Sequence, residues 1–437
     1  MPVLDDLRQA AARQRSNHQL RSLVFGCKRL LSERGEANSM AIARQLVERV
    51  DTLSDEQLGD FFDYLCLELS PDPKRVLRAA QDYAEEPNAQ RLLVLTQAAE
   101  PPRQELLRRL NRTPGGTATL VRMRRKLLQR LPKKAELMAL EADLLHLFSS
   151  WFNPGFLQMR RVDWNSPAKL LEKIIHHEAV HAIDGWEDLR RRLQPDRRCF
   201  AFFHPQLPDE PLIFVEVALL PQMPSQIAPL IDKASAPLPP ERFRVAAFYG
   251  ISNCEPGLRN VSLGNFLIKS VAEQLQRELP RLRTFCTLSP VPGFAAWLLA
   301  EPDFGALPNL RRHAATDVEE AREHLRRFCG GELAALQRAA THERLDSESS
   351  AALLTLCSAY LLHLSPTPQG DPVARFHLDN GARLEQLNAH GNMSAKGLKQ
   401  SFGIMVNYLY DLEKIEASHE KFKRGEVARS RAVHTVM

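Results

Sequence analysis

The chain has 437 residues, of which 44% are hydrophobic and 25% charged, with a formal net charge of +5. That length buries a sizeable core in two or three domains without a disulfide or metal staple, and so mild a charge excludes a strongly basic nucleic-acid-binding protein. Seven cysteines stand singly, with no C-x-x-C pair, which excludes a zinc ribbon and a disulfide scaffold and suits a reducing compartment.

From the N-terminus to about residue 150 the apolar spacing is helical. Leu58, Phe61, Phe62, Leu65 and Leu69 define one buried face, with Ser54 as the N-cap ahead of it. Further helices are expected at Ala89–Ala99, Gln104–Leu110, Thr119–Leu131 and Ala135–Phe148, separated by Pro101-Pro102, Pro114-Gly115-Gly116 and Pro132. The basic run Arg122, Arg124, Arg125, Lys126, Arg130, Lys133 and Lys134 has no interleaved aromatics, so it reads as the solvated face of an amphipathic helix, not a nucleic-acid footprint.

Helices are expected at Pro167–Ile183 and Trp186–Leu193, and strands at Cys199–Phe203, Leu212–Leu219 and Phe243–Ile251. The apolar stretch Leu212 to Leu220 is broken by Glu216 and is too short to span a membrane. The N-terminus MPVLDDLRQA, with two early aspartates, does not read as a leader, and the chain is expected to be cytoplasmic. Residues 314–364 return to helix with a break at Gly330-Gly331. Strands near Arg383–Leu387 and Met405–Tyr410 precede a charged terminal helix from Asp411.

Between Phe248 and Phe294 the pattern is strand, loop, helix, strand, loop. Leu263, Phe266, Leu267, Val271 and Leu275 share one helical face, which Pro280 ends, and a strand from Leu282 to Leu288 runs into Ser-Pro-Val-Pro-Gly. A helix N-terminus near Val261 exposes N–H groups and partial positive charge, which suits a pyrophosphate, and Gly264 permits close approach of backbone.

Three places carry candidate chemistry. His177-Glu178-Ala179-Val180-His181 spells H-E-x-x-H on an expected helix, but it has no third ligand in a zincin pattern, and no metal is assigned. Ser289 followed by Pro290 reads locally as a helix cap, and no G-x-S-x-G surrounds it. His377 and Tyr410 read locally as a loop histidine and a core aromatic.

The segments FYGIS at 248–252, LGNFLIK at 263–269, LSPVPGF at 288–294 and FHLDNGA at 376–382 change this reading. With WFNPGFL at 151–157, RRVDW at 160–164, Ser166-Pro167 and RRCFAFFH at 197–204, they closely resemble the malonyl-CoA decarboxylase family. The resemblance implies an α+β chain with a helical N-terminal domain at 1–153, serving as oligomerisation scaffold, and a catalytic domain at 154–437 of the N-acetyltransferase-like, acyl-CoA-binding type. It implies malonyl-CoA as substrate, acetyl-CoA and CO2 as products, no organic cofactor or metal, and a homo-oligomer, either dimer or tetramer. It assigns catalysis to Ser289 and His377, with Tyr410 as a supporting hydroxyl, and coenzyme A binding to Arg259, Asn260, Val261, Ser262, Leu263, Gly264 and Asn265. Some relatives have glutamate where Ser262 stands, so backbone N–H groups are the safer grip there. Some eukaryotic members end in a peroxisomal tripeptide, and this chain ends His-Thr-Val-Met. A transferase or an acyl-CoA sensor on the same fold is the alternative, as is a serine or zinc hydrolase.

Overall fold

The computed structural model describes residues 18–261, 263 and 267–434. Ser262, Gly264 and Asn265 of the expected coenzyme A segment, and Phe266 of the helical face, lie outside the described residues. The chain is α+β and divides into two compact units.

The first unit takes the helices up to Gln158, together with Phe203–Glu210 and the segment opening at Glu255. Ser54 accepts from Gln57 N and its own N–H donates to the Gln57 side chain, so the helix Asp55–Leu67 starts with a capping box. Phe61, Phe62 and Leu65 are fully buried, as their spacing requires. The solvated basic face needs one correction: Arg124, on the helix Gly116–Arg130, is fully buried. It turns inward because Glu141 meets it with two hydrogen bonds, Nη2 to Oε1 at 2.6 Å and Nε to Oε2 at 3.0 Å. Arg122 and Lys126 keep to the surface, paired with Asp51 and Asp55.

The chain also carries a mixed sheet of β1 (Gln158–Val162), β2 (Arg197–His204), β3 (Leu207–Leu220), β4 (Val245–Asn253), β5 (Thr284–Thr287), β6 (Ser289–Pro290), β7 (Arg383–Asn388) and β8 (Met405–Leu409). Its order is β1-β2-β3-β4-β5-β8-β6, with β7 also paired to β8. β4 and β5 are parallel, joined by a crossover that includes the helix Leu267–Glu278, and β3/β4, β5/β8, β6/β8 and β7/β8 are antiparallel. This agrees with the α+β arrangement that the resemblance implies. That helix buries Leu267, Val271 and Leu275. Ala218 of β3, Val245 and Ala247 of β4, Cys286 of β5 and Met405 of β8 pack in one core cluster with Leu288, which follows β5.

Two local expectations are overturned. The helix expected to run to Ile183 ends at His177. Glu178 is already extended, and its carboxylate accepts from Val180 N at 2.9 Å, His181 N at 2.8 Å and Ser252 Oγ at 2.8 Å. Those bonds compete successfully with the next helical turn, so His177 and His181 do not share a helical face. Ser289 caps no helix, because it pairs as strand β6 with Val406 of β8 and a turn separates it from the helix Phe294–Leu299. Among the described residues no helix is long and apolar enough to cross a membrane.

Candidate active site

The parallel pair β4/β5 runs from Val245 opposite Thr284 to Phe248 opposite Thr287, closing with Leu288 N donating to Phe248 O. Beyond it the strands take different partners. β4 continues against β3 to Asn253, whereas Ser289 and Pro290 pair with β8. Such a parting at the carboxyl ends of parallel strands is where open sheets of this kind receive ligands, and Ser289 is the first residue past it.

His377 comes from the other direction, on the helix Pro372–Asp379 and not on the loop its motif suggested. Its Nε2 lies 3.0 Å from Ser289 Oγ, across 88 residues of sequence. Its Nδ1 lies 2.9 Å from Tyr410 OH, and Tyr410 N donates to Phe285 O at the far end of the β5/β8 pairing. Ser289 Oγ donates to Thr287 Oγ1 at 2.9 Å, and Thr287 Oγ1 also accepts from Tyr408 N at 3.2 Å. The Tyr408 ring stacks on the imidazole with centroids 4.8 Å apart. The structure thus joins Ser289, His377 and Tyr410 into one hydrogen-bonded line, and each is at least 95% buried.

Burial pushes His377 down to about 3 and holds the Tyr410 phenol well above its ordinary value. Imidazole and phenol are therefore both neutral near pH 7. With Ser289 donating to Thr287, the consistent assignment has Tyr410 O–H donating to Nδ1 and Nε2–H donating to Ser289 Oγ. Nε2 then carries a proton and is not the base that a hydrolytic serine needs.

Sequence reasoning missed two supports of this line. Thr287 sits two residues before Ser289, and period-2 alternation could have placed it on the same face. Asp371 caps the helix of His377: Oδ1 accepts from Val373 N and Ala374 N, and Oδ2 accepts the Gly293 N–H. The Asp-Pro pair at 371–372 is a helix-start signal that could have found it.

In the expected coenzyme A segment, Arg259 N donates to Pro256 O at 3.2 Å and Val261 N to Leu258 O at 3.0 Å. Both amides are thus spent in turns. Asn260 is exposed, with φ +65°, and its N–H is left out of those turns. Leu263 is buried.

A buried, neutral hydroxyl–imidazole–phenol line at the parting of a mixed sheet is the equipment of an enzyme that moves a proton in a desolvated site. Comparison with known proteins narrows the class. Residues 155–437 match the malonyl-CoA decarboxylase C-terminal domain, and residues 69–152 match the N-terminal domain of the same family. The chain belongs to the malonyl-CoA decarboxylase family. The mitochondrial malonyl-CoA decarboxylase of the goose Anser anser anser is 36% identical over 320 residues, which are 70% of this chain and 64% of that protein. The chain therefore spans about two thirds of the length of that relative. The crystal structure of malonyl-CoA decarboxylase from Rhodopseudomonas palustris is 44% identical with a TM-score of 0.81, covering 95% of this chain and 99% of that one. That from Agrobacterium vitis is 46% identical with a TM-score of 0.80 and the same coverage. By name these relatives are carboxy-lyases.

Proposed function

We propose that the chain decarboxylates malonyl-CoA to acetyl-CoA and CO2, with Ser289 orienting the malonyl carboxylate and His377 delivering the proton. The observation that carries this reading is the 3.0 Å contact between Ser289 Oγ and His377 Nε2 in a buried site. The thioester carbonyl of the substrate is itself the electron sink, so the reaction needs no organic prosthetic group. The protein must hold the carboxylate out of the thioester plane and strip water from it. A neutral imidazole serves this better than a cation, which would stabilise the carboxylate in the ground state. The Ser289 hydroxyl turns from Thr287 to the carboxylate. The C–C bond breaks, CO2 leaves, and its electron pair passes into the thioester as an enolate. The proton of His377 Nε2 then goes to the carbanionic carbon, Tyr410 resupplies Nδ1, and solvent restores Tyr410. The two transfers within the protein run toward the stronger base, because a thioester enolate is more basic than an imidazolate and an imidazolate more basic than a phenolate, and solvent supplies the one proton the reaction consumes. Incubation of the purified chain with malonyl-CoA, following acetyl-CoA and CO2, tests the reading. Hydrolysis to malonate and free coenzyme A would refute it.

The same reading gives residues 1–153 the scaffold and 154–437 the chemistry. A homo-oligomer is supported by the helices Pro73–Glu85 and Ala89–Ala99, which bury only Ala79 and Ala98 and expose Leu77, Leu92, Leu93 and Val94. Sedimentation of the Leu92→Glu/Leu93→Glu double variant, expected to dissociate, tests that. Seven free cysteines support a reducing, cytoplasmic location, which fractionation of cells expressing the chain would test.

A further inference from the structure

We propose that Arg124 is a positioning residue for coenzyme A, acting through the peptide unit that joins Arg259 to Asn260. The proposal rests on the reading that the segment from Arg259 grips the pyrophosphate. Arg124 spends four of its five N–H donors in a fully buried place. Two go to Glu141, as described, and two go to backbone carbonyls: Nη1 to Gly257 O at 2.7 Å and Nη2 to Arg259 O at 2.8 Å. In a trans peptide, C=O and N–H point in opposite directions. The Arg259 carbonyl belongs to the same peptide plane as the Asn260 N–H, so drawing that oxygen onto Arg124 turns the Asn260 N–H away from it. That amide is the donor left out of the turns Glu255 to Leu258, Pro256 to Arg259 and Leu258 to Val261.

The loop cannot drift off this support. A Cβ at Gly257 would stand 2.2 Å from Val121 O, so the turn Pro256–Leu258 lies directly on the backbone of the helix that carries Arg124. The Phe148 ring faces the Arg124 guanidinium at 5.7 Å and, with Glu141, fixes its plane. Only a planar fork can serve a carboxylate on one edge and two carbonyls on another, so lysine cannot replace it.

The test compares parent, Arg124→Lys and Glu141→Gln by amide hydrogen exchange and by turnover of two substrates. Adding coenzyme A to the parent is expected to slow exchange over 258–261. In Arg124→Lys that protection is lost, and the ratio of kcat/KM for malonyl-CoA to that for malonyl-pantetheine, which lacks the pyrophosphate, falls about tenfold. A merely structural role would lower both substrates together and leave the ratio unchanged. If coenzyme A fails to protect 258–261 in the parent, the reading of the segment falls and the proposal with it. If the parent is protected and the ratio holds in the variants, the role of Arg124 alone is overturned. Should Arg124→Lys not fold, Glu141→Gln, which leaves the guanidinium but frees its orientation, decides by the same ratio.

Discussion

Asp371 accepts the Gly293 N–H at 2.9 Å, and with its other oxygen it caps the helix that carries His377. One buried carboxylate therefore fixes the turn that follows Ser289 relative to the helix of His377. Burial raises its pKa, and the three backbone N–H groups pull in the opposite direction. The glycine in LSPVPGF has its explanation here. Its φ is an ordinary −92°, but a Cβ would stand 2.3 Å from Tyr360 OH.

Gly293→Ala should therefore lower kcat about tenfold or more, the usual scale for displaced catalytic groups. Adding Tyr360→Phe removes the hydroxyl in the way and should recover most of the loss. Steady-state turnover of the parent, single and double variants checks this. No recovery in the double variant would mean that the clash is not the cause.

Acidity gives a second expectation. Burial moves His377 from 6.5 to about 3. Between those values the unfolded chain binds a proton that the folded chain refuses, so this residue makes stability fall as pH drops through that window, by up to about 1.4 kcal/mol per pH unit. Above pH 6.5 both states are neutral and the contribution vanishes. The NMR signal of His377 Cε1–H, identified by its absence in His377→Gln, should stay in the neutral position from pH 8 down to 5. A titration midpoint near 6.5 would contradict the burial argument.

Much of this was legible in the sequence. Ser54, the face Phe61–Phe62–Leu65 and the strands at 199–203, 212–219 and 243–251 follow from caps and periodicity, which are local signals. The meeting of Ser289, His377 and Tyr410 is not local. It depends on β8 pairing with both β5 and β6, a register that no window around any of the three residues encodes. Resemblance could nominate them, but that pairing brings Ser289 and Tyr410 together, and the Asp371 link to Gly293 N sets the helix of His377 beside them. Arg124 was misread for a similar reason, since its partners Glu141, Gly257 and Arg259 lie up to 135 residues away.

The H-E-x-x-H spelling leads to a third expectation. Glu178 is committed to Ser252 and two amides, and Lys396 Nζ holds the next turn through Ala179 O and Val180 O. Ser252 of FYGIS thus works as a strap for this loop. His177→Ala should leave turnover within about twofold of the parent, whereas Glu178→Ala, which leaves the buried Ser252 hydroxyl and the amides without their partner, should cost about 1–3 kcal/mol of stability. Thermal unfolding and turnover with and without chelator separate the two. Activity lost to chelator and restored by zinc would overturn the structural account of this stretch.

The last expectation concerns the line Ser289–His377–Tyr410 as one unit. On the proposed mechanism Ser289→Ala removes the group that orients the carboxylate, and His377→Ala removes the proton donor. Each should lower kcat by roughly two to four orders of magnitude in a folded protein. Tyr410→Phe keeps the ring and deletes only the hydroxyl that faces Nδ1 at 2.9 Å. It should cost less, about tenfold to a hundredfold, because it frees the imidazole tautomer without removing the donor. The Ser289→Ala/His377→Ala double variant should be little worse than either single one, since Nε2 holds the Ser289 hydroxyl and losing either partner already spoils the pair, so their losses do not add. Acetyl-CoA, which has no carboxylate, should bind all three single variants as it binds the parent. Full additivity in the double variant would show that Ser289 and His377 act independently of each other, and the 3.0 Å contact between them would then be packing without shared chemistry.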